Sequence, residues 1–407
     1  MREKPAHAGR PGSAERLKIE DLRNIYTSSR VELIELTGDA LCYAEEKEEE
    51  GHNSLFLLEY NRNTKRERVI TNYILNDPAF RRHYFPFAAD LLMVLEDGGS
   101  EVWLLVLDRA SGRERRMVRL DLLGGFTGCT ALDSAHLLFW TQEDEKTAGL
   151  FEDYHKLTGF DRVCCLYDLE EERCWYVRDP RLIQAGPEQL VPCRVTGCDR
   201  LLILEPHGDE AEKEKCFRNL RWLGDDVNDN VWLCPLLDAI VSIKAGDPKL
   251  PMELVLSVGT RGLLRYAGAD AQGLYFRAKY FPDNDERLVV LHRATGAKEA
   301  LCSLSHGENT RLLFLSGGSG PFRVYAVEDK GEEFACDGLF HASLHTVFSR
   351  ELGDLIAVVE DRYLVARYLL ADETDSFEFQ TVLDAKTGSQ QSYECRCTVQ
   401  GRTVVLY

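Results

Sequence analysis

From about residue 28 onward the chain is a succession of short apolar or alternating runs, broken by Gly, Asp, Asn and Ser. RVELIEL, SLFLLEY, DLLMVLED, EVWLLVLD, HLLFWTQE, RLLILEP, GLYFRAKY, RLVVLHR, FRVYAVED, DLIAVVED and EFQTVLD follow one another in this way. Runs of this length bounded by turn formers predict β-strands joined by hairpins. Long helical periodicity is nearly absent.

A repeat underlies the pattern. A strand ends in an aliphatic residue or Tyr, then Asp, Asn or another polar residue, and runs through a turn into a charged second strand. The copies read FLLEYNRNTKRERV, WLLVLDRASGRERR, VCCLYDLEEERC, LVVLHRATGAKE and FQTVLDAKTGSQQ. Asp or Asn opens such a turn by accepting backbone N–H bonds, and Gly supplies positive φ near its end. The best-kept forms are Leu383-Asp384-Ala385-Lys386-Thr387-Gly388 and Leu107-Asp108-Arg109-Ala110-Ser111-Gly112. This hairpin resembles the one between the third and fourth strands of β-propeller repeats, as in quinoprotein-like and WD40-like propellers. The WD dipeptide is absent and the Trp-docking signature of quinone-binding repeats is incomplete, so the resemblance implies a fold and no cofactor.

Propeller blades repeat every 40–50 residues or so. On that spacing the expected class is all-β, a propeller of seven four-stranded blades, with six or eight as alternatives. Blade cores are expected at about 31–75, 83–122, 127–182, 190–259, 262–306, 310–350 and 354–398. Residues 1–20 read as a disordered tail and 21–407 as a single domain. Two insertions, 143–160 and 208–224, read as short helices. The second carries an Asp209 cap and an apolar stripe of Cys216, Phe217, Leu220 and Leu223.

Composition narrows the function classes. The 407 residues carry 49 Lys and Arg against 68 Asp and Glu, a net charge of −19. Such a charge opposes nucleic acid and anionic membranes as partners. No apolar run is long enough for a transmembrane helix. The first 20 residues lack the apolar centre of a secretory signal. Thirteen cysteines, an odd number in mostly apolar settings, suit core thiols in a reducing cytoplasm.

Motifs for chemistry are sparse. There is no G-x-S-x-G elbow, no G-x-x-x-x-G-K-[ST] loop, and no G-x-G-x-x-G after a strand. Asp225 to Asn230 alternates oxygen ligands, making Asp226, Asn228 and Asn230 candidates for a hard cation, although the EF-hand pattern fails. The competing reading is a solvated turn, and no metal or cofactor is expected. The shorter loop at 281–286 and the charge run Glu45 to Glu50 also read as solvated loops or hairpin tips. Arg218 to Leu223 mixes Arg and Trp, so Phe217, Arg221 and Trp222 are candidates for binding a partner. Pinning of the inserted helix to its blade is the alternative.

These features lead to one expectation and two alternatives. The first is a non-catalytic cytoplasmic propeller serving as a protein–protein interaction scaffold. The alternatives are a propeller enzyme, a hydrolase or lyase acting on a sugar or lactone, and a sensor holding a small molecule or ion in the axial pocket. The enzyme reading requires carboxylates and a His brought together from different blades, which sequence spacing does not display. Closure of the ring is expected to place residues about 24–36 and 395–407 in neighbouring or shared blades. Deletion of 395–407 should unfold or aggregate the protein; an unchanged melting curve would overturn this.

Overall fold

The computed structural model describes residues 17–26, 30–49, 52–75, 81–87, 89–96, 102–120, 122, 124–143, 152–159, 161–206, 228–259, 262–280, 285–304, 310–315, 321–371, 376–400 and 402–407. Consecutive strands pair antiparallel in groups of four, the pattern of a propeller-like all-β fold of roughly seven blades. Blade one comprises Val31–Leu36, Ala40–Glu49, His52–Asn61 and Arg66–Leu75. Blade two comprises Arg81–Phe87, Asp90–Glu96, Val102–Asp108 and Glu114–Leu120. Blade three comprises Gly125–Ala131, His136–Gln142, Arg162–Asp168 and Arg173–Tyr176. Blade four begins at Leu190, blade five at Gly262, blade six at Thr310 and blade seven at Asp354. Blades four and five are continuous through a single pairing, Asn228 opposite Leu264. The blade cores therefore fall close to the segments expected from the repeat.

Two compact units divide the chain. One contains Tyr26–Glu308, and so blades one to five. The other contains Met1–Ile25 and Asn309–Tyr407, and so blades six and seven with a three-stranded terminal sheet. In that sheet Lys18–Asp21 runs parallel to Thr403–Leu406, which pairs in turn with Cys397–Gln400. Pairing of the two ends was expected, but the N-terminal partner is an earlier segment. Residues 31–36 pair with 41–45 inside blade one instead. The strand at 18–21 begins within the stretch read as a tail, because Ile19 packs on the cluster of Val404, Leu406, Val359 and Val365.

Apolar residues on both faces of a blade explain why the runs read as nearly continuous. In blade two, Leu91, Met93, Leu105 and Leu107 pack on Cys42, Leu55 and Leu57 of blade one. The alternate residues Leu92, Val94, Leu104 and Val106 pack on Leu137, Phe139 and Tyr167 of blade three. Side chains alternate across a strand, so a sheet buried on both faces needs apolar residues at every position.

The repeated hairpin is the expected turn. Asn61 Oδ1 accepts from the Thr64 amide at 2.8 Å, Asp108 Oδ1 from Ser111 at 2.7 Å, and Asp384 Oδ1 from Lys386 at 3.0 Å. The residue four places on is left-handed in each copy: Lys65, Gly112, Glu172, Gly296 and Gly388. Gly112 is required twice over. Its φ is +69°, and a Cβ there would fall 1.7 Å from the Ile70 carbonyl oxygen of blade one.

Among the described residues three α-helices interrupt the strands: Glu152–Thr158, Pro180–Gln184 and Leu236–Ala245. The first lies within the expected insertion at 143–160; the second expected helix, at 208–224, lies outside the described residues. The third buries Leu236, Ala239, Ile240 and Ile243 and places Lys244 against blade three. There Asp168 accepts amide bonds from Glu170 at 2.7 Å and Glu171 at 2.9 Å, and the Lys244 ammonium at 2.5 Å.

Burial pushes the Asp168 carboxyl up, but Lys244 and the turn amides outweigh it and hold the group at about 2. A depressed acid stabilises the fold above its ordinary range near pH 4, and that contribution is lost as pH falls towards 2. Asp168→Asn should cost about 2–4 kcal/mol at neutral pH, because Lys244 loses its charged partner. In urea melts, the gap between variant and wild type should close between about pH 4 and pH 2.

Candidate functional site

The residues singled out in the sequence do not assemble into a site. Phe217, Arg221, Trp222 and Asp226 lie outside the described residues, as do Asp283 and Asn284. Asn228 and Asn230 belong to the third strand of blade four, Asn228–Pro235. The Asn228 side-chain amide donates to the Leu264 carbonyl at 3.3 Å, and that of Asn230 to Glu205 at 2.8 Å. Strand pairing thus engages both amides. Among the described residues no group of three or more His, Cys, Asp or Glu side chains is placed to hold a metal ion.

A different group converges where the first strands of blades one, two and three lie side by side. These are edge strands of their sheets, and those of blades one and two are neighbours. Glu32 stands at the start of blade one, opposite Ala44 of the second strand. Alternation along that strand puts Glu46 on the face that carries Ala44 and Glu32. Blade two answers with Arg82, His83 and Tyr84 on its first strand and Glu96 at the end of its second.

Each side chain has a distinct setting. The Arg82 guanidinium donates to Glu46 Oε1 at 2.6 Å, and Arg30 approaches Glu46 Oε2 at 3.7 Å. His83 Nε2 lies 3.6 Å from Glu96 Oε2, beyond hydrogen-bond reach. That nitrogen is buried with no hydrogen-bond partner among the described residues. The His83 ring also packs on Phe126 of blade three, centroid to centroid 5.0 Å.

Glu32 differs from the other two carboxylates. It makes no ion pair or hydrogen bond among the described residues, and its side chain reaches solvent. Even so, the surrounding protein desolvates it enough to raise its carboxyl above the ordinary value; His83 opposes the rise and Glu46 adds to it. A carboxyl raised in this way holds its proton nearer to neutral pH, the condition for donating it.

A second polar cluster, at the opposite ends of the blade-three strands, behaves otherwise. Asp133 holds His136 Nδ1 at 2.9 Å, and His136 Nε2 lies 3.2 Å from Asp168. Lys244 joins Asp168 to Glu171 at 2.7 Å and sits over the Trp175 ring at 4.8 Å. Its Asp168 is driven down and its Lys244 up, away from neutrality on both sides. Such a network fastens the helix Leu236–Ala245 to blade three.

The sequence carried some trace of the Glu32 site without showing it. Glu32 lies in RVELIEL, read only as one of the strand runs, and His83 lies beside another such run. The run Glu45 to Glu50 read as a solvated hairpin tip, which the structure corrects. Glu45 to Glu49 form strand, Glu45 is buried against Lys47 at 2.9 Å, and Glu46 grips Arg82. Lys47 within the run serves Glu45, and the packing of blade two on blade one supplies Arg82 to Glu46.

No family model matches the chain, and no curated protein matches it. Solved structures of similar fold include an uncharacterized protein from Listeria monocytogenes. It has TM-score 0.46 and 11% identity, over 93% of this chain and 97% of that one. A prolyl endopeptidase has TM-score 0.47 and 12% identity over 89% of this chain, which spans 49% of the endopeptidase. An oligogalacturonate lyase in complex with manganese has TM-score 0.38 and 14% identity, over 87% of this chain and 73% of that one. Likeness at such identities concerns the fold alone. Peptidases and lyases stand among these chains, so the fold is not reserved to the non-catalytic protein–protein interaction scaffold that the sequence led us to expect.

Because Glu32 is exposed and pairs with none of the described residues, its replacement should leave the fold intact. Glu32→Gln is expected to change stability by less than about 0.5 kcal/mol in a urea melt, whereas a large loss would show that the carboxylate is structural.

Proposed function

We propose that the protein is a propeller enzyme, a hydrolase or lyase acting on a sugar or lactone at the Glu32 site. The observation that carries the reading is Glu32 itself, a carboxyl raised by desolvation and within the field of His83, yet bonded to none of the described residues. Perturbed groups of this kind concentrate where proton transfer is done. In the reaction Glu32 gives its proton to the leaving oxygen as the bond to carbon or acyl breaks. His83, with Glu96 beside it, takes a proton from the attacking water in hydrolysis, or from the substrate carbon in elimination. Arg82 remains bound to Glu46 and keeps the first strands of blades one and two in place.

The reading extends to the protein's setting. No helix among the described residues is long and apolar enough to cross a membrane. Eleven described cysteines carry free thiols, which supports placing the enzyme in a reducing cytoplasm. Cys129 and Cys164 are raised by burial, and Cys165 by its bond with Cys174 and then by burial, which works against a thiolate nucleophile at these positions. The substrate is then a small molecule or a sugar rather than nucleic acid or a lipid surface, as the net charge of −19 favours.

A panel of lactones and of neutral and acidic oligosaccharides, assayed with purified protein, tests the assignment. Turnover of at least one should fall about 10²- to 10⁴-fold in Glu32→Gln with the melting temperature unchanged. Turnover equal to wild type in that variant would remove Glu32 from the chemistry.

A further inference from the structure

Two cysteines meet across the outer hairpin of blade three. Cys165 lies on the third strand, Arg162–Asp168, and Cys174 on the fourth, Arg173–Tyr176. Tyr167 stands opposite Cys174, and Cys165 opposite Tyr176. Side chains alternate along a strand, so Cys165, Tyr167 and Cys174 share one face, with the two cysteines as diagonal neighbours. The Val177 amide donates to the Cys164 carbonyl at 2.8 Å, which makes Cys164 and Val177 a hydrogen-bonded pair. By alternation the rows that hold Cys165 and Cys174 are the non-hydrogen-bonded ones, where side chains of opposite strands come closer. The two thiols share a side-chain hydrogen bond.

Their exposure differs. Cys165 is 1% exposed, within the cluster that blade three shares with Leu104 and Val106 of blade two. Cys174 packs on the rim of the same cluster and is only half-buried. Its strand is four residues long and is the last of its sheet. A solute therefore meets Cys174 first, and a short edge strand can shift as a covalent bond requires. Neighbouring thiols are poorly placed to compete. Phe139 stands between Cys129 and Cys165 in the row of pairs. Cys164 belongs to the cluster of Leu182 and Ile183 on the other face.

We propose that Cys165 and Cys174 are a peroxide-oxidised dithiol, in which Cys174 meets the oxidant and Cys165 closes a disulfide onto it. In the first step the Cys174 sulfur attacks the peroxide. An S–O bond forms, the O–O bond breaks, and the departing hydroxide takes the thiol proton as water. The Cys165 sulfur then displaces the oxygen from Cys174. The S–S bond forms, the S–O bond breaks, and a second water carries away the Cys165 proton. Two thiols lose two electrons, and one peroxide becomes two waters. The bond with Cys174 and burial raise the Cys165 thiol, so it stays protonated and leaves the peroxide to Cys174. In the second step contact replaces abundance. A thiol held against its electrophile acts at high effective concentration, and a thiolate of high proton affinity is the stronger nucleophile. Cellular thiol reductants return the pair to its reduced form, so the modification is reversible. It involves no part of the Glu32 site and holds whether or not the protein is an enzyme.

Trypsin separates the two cysteines, cutting after Arg162, Arg173 and Arg178 to give peptides 163–173 and 174–178. The full-length protein is treated with hydrogen peroxide until the exposed Cys198 is oxidised, its remaining thiols are alkylated, and the non-reduced digest is read by mass spectrometry. Peptides 163–173 and 174–178 should appear linked, and the link should vanish when dithiothreitol precedes alkylation. It should persist in Cys164→Ser and be lost in Cys165→Ser, where the Cys174 sulfenic acid accumulates and its dimedone adduct rises several-fold. Absence of the link once Cys198 is oxidised overturns the proposal. So does a link that survives in Cys165→Ser, which would make Cys164 the partner, or a Cys174 joined to any other cysteine. Should Cys165→Ser fail to fold, fragmentation of the linked wild-type peptides decides: a bridge at Cys165 supports the proposal and a bridge at Cys164 overturns it.

Discussion

The interaction on which the rest of the structure depends is the acceptance of turn amides by one side-chain oxygen at the end of a third strand. Asn61, Asp108, Asp168 and Asp384 each close a hairpin in this way. Such a turn sets the register between third and fourth strands, and a slip of one residue would turn every side chain to the opposite face. The second oxygen is then free to engage a cation. Asp384 takes Arg362 at 2.7 Å, and Asp168 takes Lys244 from an inserted helix. One residue type therefore shapes the hairpin and anchors its surroundings.

Register matters because both faces of a blade are buried. Leu92 and Leu91 of blade two are adjacent in sequence but pack against different blades. The same alternation acts where apolar positions give way to charged ones at the strand ends. Arg82 turns towards Glu46 of blade one, while His83, the next residue, turns towards Phe126 of blade three. The candidate site is thus the polar rim of the two blade interfaces. Its geometry follows from core packing a few ångströms away.

The two polar clusters show how similar residues take on different chemistry. Each contains a histidine, carboxylates and a cation. In the Asp168 cluster the cation and the acid are paired, and both are pushed away from neutrality. In the Glu32 cluster the cation is paired with a different acid, so one carboxyl is left unpaired and raised. Pairing, rather than composition, separates the depressed acid from the raised one.

Much of the fold was legible in the chain. Strand runs, turn formers at Asp108 and Gly112, and the blade segments all follow from local rules, because hairpins join neighbours in sequence. Pairing of the chain ends was legible in kind but not in register, since Lys18–Asp21 is short and only its packing on Val404 and Leu406 identifies it. The site was not legible. Glu32, Glu46, His83 and Glu96 belong to two blades, and each alone looks like an ordinary strand residue or part of a solvated run. Glu46 illustrates the division: sequence placed it in an acidic stretch, and only the packing of blade one on blade two supplied Arg82. Local sequence determined the blades because turns and alternation act over a few residues; tertiary structure decided the chemistry because desolvation and ion pairing depend on what another blade brings near.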